Sequence, residues 1–161
     1  MSASHSLLFT NDVTPELLNQ LDSPTFTEQQ LSTFDECALQ VVKDQQAYCI
    51  AHPPIAIYRV AAEGSQTRNG GVIKHTASAF EFRLADGSQI RGAHKGDCVE
   101  YPDGTQALIV TGSGEANSNL ALVGSYLSNG DQIINTPQDA LVFIERHGVP
   151  LAEDFLSTIE R

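Results

Sequence analysis

The chain has 161 residues, 41 % hydrophobic and 18 % charged, a balance that suits one compact domain or a small domain with an extension and excludes wholesale disorder. Lys plus Arg number 9 against 20 Asp plus Glu, a formal net charge of -11. With no basic cluster to displace counterions from phosphates, neither a nucleic acid nor an anionic membrane surface is an expected partner.

The N-terminal stretch MSASHSLLFTND lacks the basic region and long apolar core of a secretory signal, and no run reaches the roughly 18 apolar residues of a membrane span, so no stable membrane anchor is expected. Thr14 followed by Pro15 and Glu16 predicts a capped helix over 15–21. A second, longer helix is predicted after Thr27. Glu28, Gln29 and Gln30 open it, and Leu31, Phe34, Cys37, Ala38, Val41, Val42 and Gln45 keep helical spacing. His52-Pro53-Pro54 ends it, because proline lacks the amide donor and disfavours helical geometry in the residue before it. Residues 1–54 therefore read as a helical N-terminal extension.

From Ile55 the pattern changes to short apolar segments at 55–60, 71–74, 79–84, 89–92, 97–101, 106–111, 120–123, 132–135 and 140–145. All 12 glycines lie at Gly64 or later. Asn69-Gly70, Asp86-Gly87, Asp103-Gly104 and Asn129-Gly130 are strong turn signals, since both turn positions tolerate positive φ. The fold class is mainly β: a domain of short strands and glycine turns over 55–138, then a C-terminal strand and tail over 139–161. A limited repeat runs through it. Val60, Val99 and Val123 stand before turns, and Val72-Ile73, Leu108-Ile109-Val110 and Ile133-Ile134 follow them, at a loose spacing of about 8 to 13 residues. That repeat predicts three related units packed about a common axis.

Three local strings sharpen the reading. They are Thr67-Arg68-Asn69-Gly70-Gly71-Val72-Ile73; Gly96-Asp97-Cys98-Val99 with Tyr101-Pro102-Asp103-Gly104 and Ala107-Leu108-Ile109-Val110-Thr111-Gly112-Ser113; and Ala121-Leu122-Val123-Gly124-Ser125 with Ser128-Asn129-Gly130 and Ile133-Ile134. In order and spacing the stretch from about Tyr58 to Gln138 resembles the proline-alanine-alanine-arginine (PAAR) repeat proteins, the small conical β domains that sharpen the spike of the type VI secretion system. The resemblance implies a non-enzymatic spike-tip cap of that system or of a related contractile injection machine. Such a cap binds the end of a trimeric VgrG-like spike protein and assists membrane puncture and effector delivery. It also implies a start in the bacterial cytoplasm and export on the spike without a signal peptide. The apolar residues Leu17, Leu18, Leu21, Leu31, Phe34, Leu39, Val41 and Val42 of the N-terminal helices read either as surface packed on the β domain or as a docking face for an effector.

The chain departs from that family at the tip. The family's tip commonly holds zinc, bound by histidines and a cysteine, whereas the matching positions here read Asn69, Tyr101, Asp103 and Asn129. None offers the thiolate or imidazole that structural zinc prefers, so no cofactor is expected there. Hydrogen bonds from Asn69, Asp103 and Asn129 to backbone amides, with packing of Tyr101 and Tyr126, are the expected substitute. Elsewhere His94, Asp97 and Cys98 stand close in sequence. His94 and Cys98 suggest either a noncanonical zinc site completed by one more histidine or the Cys-His pair of a small secreted hydrolase, the alternative to the spike-tip reading. The cysteines Cys37, Cys49 and Cys98 are too few and too irregular for a disulfide framework and read as free thiols.

Overall fold

The computed structural model describes residues 8–23 and 26–156. They divide into two compact units. A helical unit holds Asp12–Ile57 and Ile144–Pro150, and a hairpin unit holds Tyr58–Phe143 with the described residues up to Asn11 and from Leu151 onward.

In the helical unit, α1 (Pro15–Leu21) starts as its sequence predicts, with the Thr14 hydroxyl accepting from the Leu17 amide at 3.1 Å. Thr27 likewise caps α2 (Glu28–Leu31) in a reciprocal box with Gln30. The single long helix expected after Thr27 is two. The chain turns over 32–35, where the hydroxyls of Ser32 and Thr33 bond back to the carbonyls of Gln29 and Gln30. Asp35 then caps a new helix, α3 (Glu36–Ala51), through the Ala38 amide at 2.8 Å. The capped break outcompetes the apolar periodicity because local side-chain bonds satisfy the orphan backbone groups on both sides. His52 closes α3, as the prolines after it require. Arg146 reaches both carboxylate oxygens of Asp22 at 2.7 and 3.0 Å and the His52 carbonyl at 3.0 Å. With the bond from the His147 amide to the Pro53 carbonyl, this explains why 144–150 belongs to this unit and not to a separate tail.

The strands are β1 (Pro54–Arg59), β2 (Glu81–Arg83), β3 (Gln89–Arg91), β4 (Cys98–Glu100), β5 (Gln106–Leu108) and β6 (Val142–Arg146). They pair as β1 with β6, β2 with β3 and β4 with β5, the last two antiparallel. The expected segments 71–74, 120–123 and 132–135 contribute isolated bridges instead of full strands.

These bridges build a threefold pattern. Residues 64–73, 96–109 and 124–133 each form a hairpin closed by the same bonds. The amides of Gly64, Gly96 and Gly124 donate to the carbonyls of Ile73, Ile109 and Ile133, whose amides donate back to Ser65, Asp97 and Ser125. In each, the polar side chain after the glycine accepts from an amide three residues back: Ser65 from Ala62, Asp97 from His94, Ser125 from Leu122. The hairpins also pair in a cycle, first with second at Val72 and Glu100, second with third at Ile109 and Leu127, third with first at Ile133 and Thr67. A closed cycle leaves no hairpin edge unpaired within the ring.

Below the hairpins, residues 60–62, 92–94 and 120–122 repeat the cycle around the axis. The Ala61 amide donates to Ala121, Ala121 to Ala93, and Ala93 back to Ala61, at 2.8, 2.8 and 2.9 Å. All three alanines are 0 % exposed, and only a small side chain fits where three backbones converge. Ile73, Ile109 and Ile133 fill the next layer of one buried cluster, and Val99 and Leu127 the layer beyond. A second cluster joins Val60, Ala62, Phe82, Leu120 and Leu122. The residues just before Asp12 join this unit because Phe9 bridges Thr136, Asn11 bonds Arg59 and Val123, and the Arg59 guanidinium lies over the Phe9 ring while paired with Asp139.

Candidate functional site

The three hairpins end in matching five-residue turns. The amides of Thr67, Tyr101 and Leu127 donate to the carbonyls of Gly71, Thr105 and Asp131 across the turns, and the amides of Gly70, Gly104 and Gly130 donate back to Thr67, Tyr101 and Leu127. Those glycines have φ of 92°, 88° and 86°, which an Asn-Gly or Asp-Gly pair supplies without strain. The turns do not stop at one level. The second hairpin is four residues longer than the others, so its turn projects further and its Tyr101 side chain folds across the end of the ring.

Tyr101 meets Asp131, a residue whose only mark in the sequence is its place after Asn129-Gly130. The phenol donates to Asp131 Oδ2 at 2.6 Å and accepts from Asn129 Nδ2 at 3.0 Å. Asp131 Oδ1 accepts from the Gln132 and Asn69 amides at 2.8 and 3.2 Å, and the Thr67 hydroxyl also bonds the carboxylate. Asp131 is 3 % exposed. Burial works against its charge, yet these donors outweigh that cost and hold the carboxyl below its usual range. Burial first, and then the bond to Asp131, push the Tyr101 phenol up.

The expected tip residues are thus partly brought together. Asn129 and Asp103 accept backbone amides from Asp131 and Thr105, while Asn69 contributes its own amide. Asp103 stays with its own turn, bonded to Thr105, and does not enter the cluster. Tyr126 is on the outer surface, its amide bonded to Thr111, and does not pack at the tip. Zinc does not fit this donor set: the cluster offers no imidazole or thiolate, and both Asp131 oxygens are already engaged by hydrogen-bond donors. Among the described residues no group of three or more His, Cys, Asp or Glu could hold a metal ion.

Tight packing fixes one further residue of the tip. A Cβ at Gly71 would come within 2.6 Å of Val99 Cγ1 and 2.9 Å of both the Tyr101 ring and the Thr67 hydroxyl. Gly71→Ala is expected to cost about 2 kcal/mol in urea unfolding, because the second hairpin must shift to admit the methyl. An unchanged midpoint would show that Tyr101 does not press on Gly71.

No hydrogen bond joins the His94 ring to the Cys98 sulfur among the described residues. The His94 backbone amide is held by Asp97 at 2.7 Å, and the Cys98 sulfur contacts the Val99 carbonyl at 3.8 Å. Burial, with the negative charges of Glu100 and Asp97, pushes the Cys98 thiol up, the opposite of what a nucleophilic thiolate needs. The three cysteines are free.

Fold and site together define a closed ring of three hairpins with a hydrogen-bonded end. No family model matches the chain, and no curated protein or solved structure matches it. No helix among the described residues is long and apolar enough to cross a membrane.

Proposed function

We propose that the hairpin unit is a PAAR-like cap for the end of a trimeric VgrG-like spike protein, in a type VI secretion system or a related contractile injection machine. In this reading the chain leaves a bacterial cytoplasm on the spike and assists membrane puncture and effector delivery. It acts mechanically and is not an enzyme.

One observation carries the reading: the cyclic bonds among Ala61, Ala93 and Ala121, with three like hairpins built on them. The end of a trimeric β-prism presents three identical strand edges whose backbone groups need partners. A single chain can answer three symmetric edges only with three equivalent segments of its own, and strand addition at such edges supplies affinity through main-chain bonds. At the tip, Tyr101 is bonded to Asp131 and Asn129 and so braces the second turn against the third.

Co-purification with a trimeric spike protein encoded nearby, sized by light scattering, tests it. One copy of this chain per trimer is the expected result. A stable trimer that never retains the chain, at concentrations well above those of ordinary specific complexes, would overturn it.

A further inference from the structure

The three end turns differ in what holds the third residue of each. Asn129 Oδ1 accepts from the Asp131 amide at 3.0 Å and Asp103 Oδ1 from the Thr105 amide at 2.9 Å, in both cases two residues further on. The first turn lacks this bond. There the Gly71 amide donates to the Thr67 hydroxyl at 2.8 Å instead, which leaves the Asn69 side chain without a hydrogen-bond partner among the described residues. Asn129 is held twice, because its Nδ2 also donates to the Tyr101 phenol at 3.0 Å.

An asparagine before a glycine carries a reaction of its own. The glycine amide loses its proton and its nitrogen attacks the asparagine Cγ; the bond from Cγ to the side-chain nitrogen breaks, ammonia leaves with the proton, and a succinimide ring remains. Water then opens the ring at either carbonyl to give aspartate or isoaspartate, with nothing oxidised or reduced. Ring closure needs Cγ to swing over the glycine nitrogen, and a side chain that is already bonded must first give up those bonds. Asn129 has two to lose and Asn69 none. The glycine amide must also be released, and Gly70 is held less closely, at 3.2 Å from the Thr67 carbonyl against 2.9 Å from Gly130 to Leu127. Both pairs are exposed, so water reaches both, and glycine has no side chain to obstruct the approach. Asp103, before Gly104, has no ammonia to lose.

We infer that Asn69, and not Asn129, is a site of spontaneous deamidation in the folded chain. The product sets a new carboxylate close to Asp131, whose Oδ1 already faces the Asn69 amide at 3.2 Å, and isoaspartate adds a methylene to the backbone of the turn. The reaction belongs to the chain alone and does not depend on whether the hairpin ring caps a trimer.

The full chain is kept in warm, mildly alkaline buffer, folded in one sample and in concentrated urea in another, and both asparagines are followed by peptide mapping with mass spectrometry. In the folded chain Asn69 is expected to convert at least about tenfold faster than Asn129, and in urea the two rates should come within about threefold of each other. Tyr101→Phe keeps the ring and removes the phenol. It should speed Asn129 about threefold or more and leave Asn69 unchanged, with circular dichroism to verify that the variant is folded. An Asn69 no faster than Asn129 in the folded chain overturns the inference. So does a preference for Asn69 that survives in urea, which would place its cause in the neighbouring sequence, and a folded Tyr101→Phe chain in which Asn129 stays as slow overturns the account of its protection.

Discussion

Asp131→Ala is expected to lower the stability of the hairpin unit by about 3 kcal/mol, since it strips the buried partner from the Tyr101 phenol, the Thr67 hydroxyl and two backbone amides at once. Unfolding in urea followed by tyrosine fluorescence reads it well: the chain has no tryptophan, and of its four tyrosines Tyr58, Tyr101 and Tyr126 lie in this unit. Asp131→Asn separates charge from shape. It keeps the side-chain outline but turns one acceptor into a donor facing other donors, so it too should destabilise, by about 2 kcal/mol.

The pH dependence of this difference has a definite sign. The folded state holds the Asp131 carboxyl below the ordinary aspartate range, so its contribution is present above that range and is lost as pH falls through the lower, folded value. The gap between wild type and Asp131→Asn should therefore be full near neutrality and narrow below about pH 4. Asp22, Asp86 and Asp103 are held low as well, by bonds to Arg146, Ser88 and Thr105, so both proteins keep some loss of stability in acid. A gap of the same size at neutral and acid pH would show that Asp131 acts by shape alone.

The second large effect is expected at Ala93. Its Cβ sits at 0 % exposure in the cycle with Ala61 and Ala121, where each backbone both donates to one neighbour and accepts from the other. A larger side chain cannot be housed by shifting one strand, because moving any member opens two of the three bonds. Ala93→Leu is expected to cost about 3 kcal/mol or more, whereas Ala93→Gly, which removes a methyl and loosens the chain, should cost about 1 kcal/mol. If Ala93→Leu unfolds within 1 kcal/mol of wild type, the alanine cycle is not the crowded axis described above. The same variant tests the proposed cap: if it still folds, it should be poorly retained by the trimeric spike protein of that proposal, since the three hairpins would no longer be equivalent.

The reaction proposed for Asn69 and the cap proposed for the ring make independent demands on the chain. The first is read in the chain alone, whatever the ring binds. Loss of one leaves the other standing.

How far the sequence reached follows from how local each determinant is. Thr14 and Thr27 cap helices through atoms three residues away, and Asn69-Gly70, Asp103-Gly104 and Asn129-Gly130 make their turns through their own backbones, so these features were legible from short strings. The break before Asp35 was equally local but lay hidden under an apolar period that ran straight through it. The repeat was visible yet loose, because its second copy carries four extra residues between end bonds that are otherwise the same. Only the tertiary structure decided what that insertion does. It lifts Tyr101 over the end of the ring and onto Asp131, a contact across 30 residues that no spacing rule anticipates. Closure of the ring was decided there too. Bonds between Ala61, Ala93 and Ala121 join segments that share the string Ala-x-x-Gly-Ser/Asp, a likeness that says nothing of closure, and a cyclic set of backbone bonds forms only when all three arrive together.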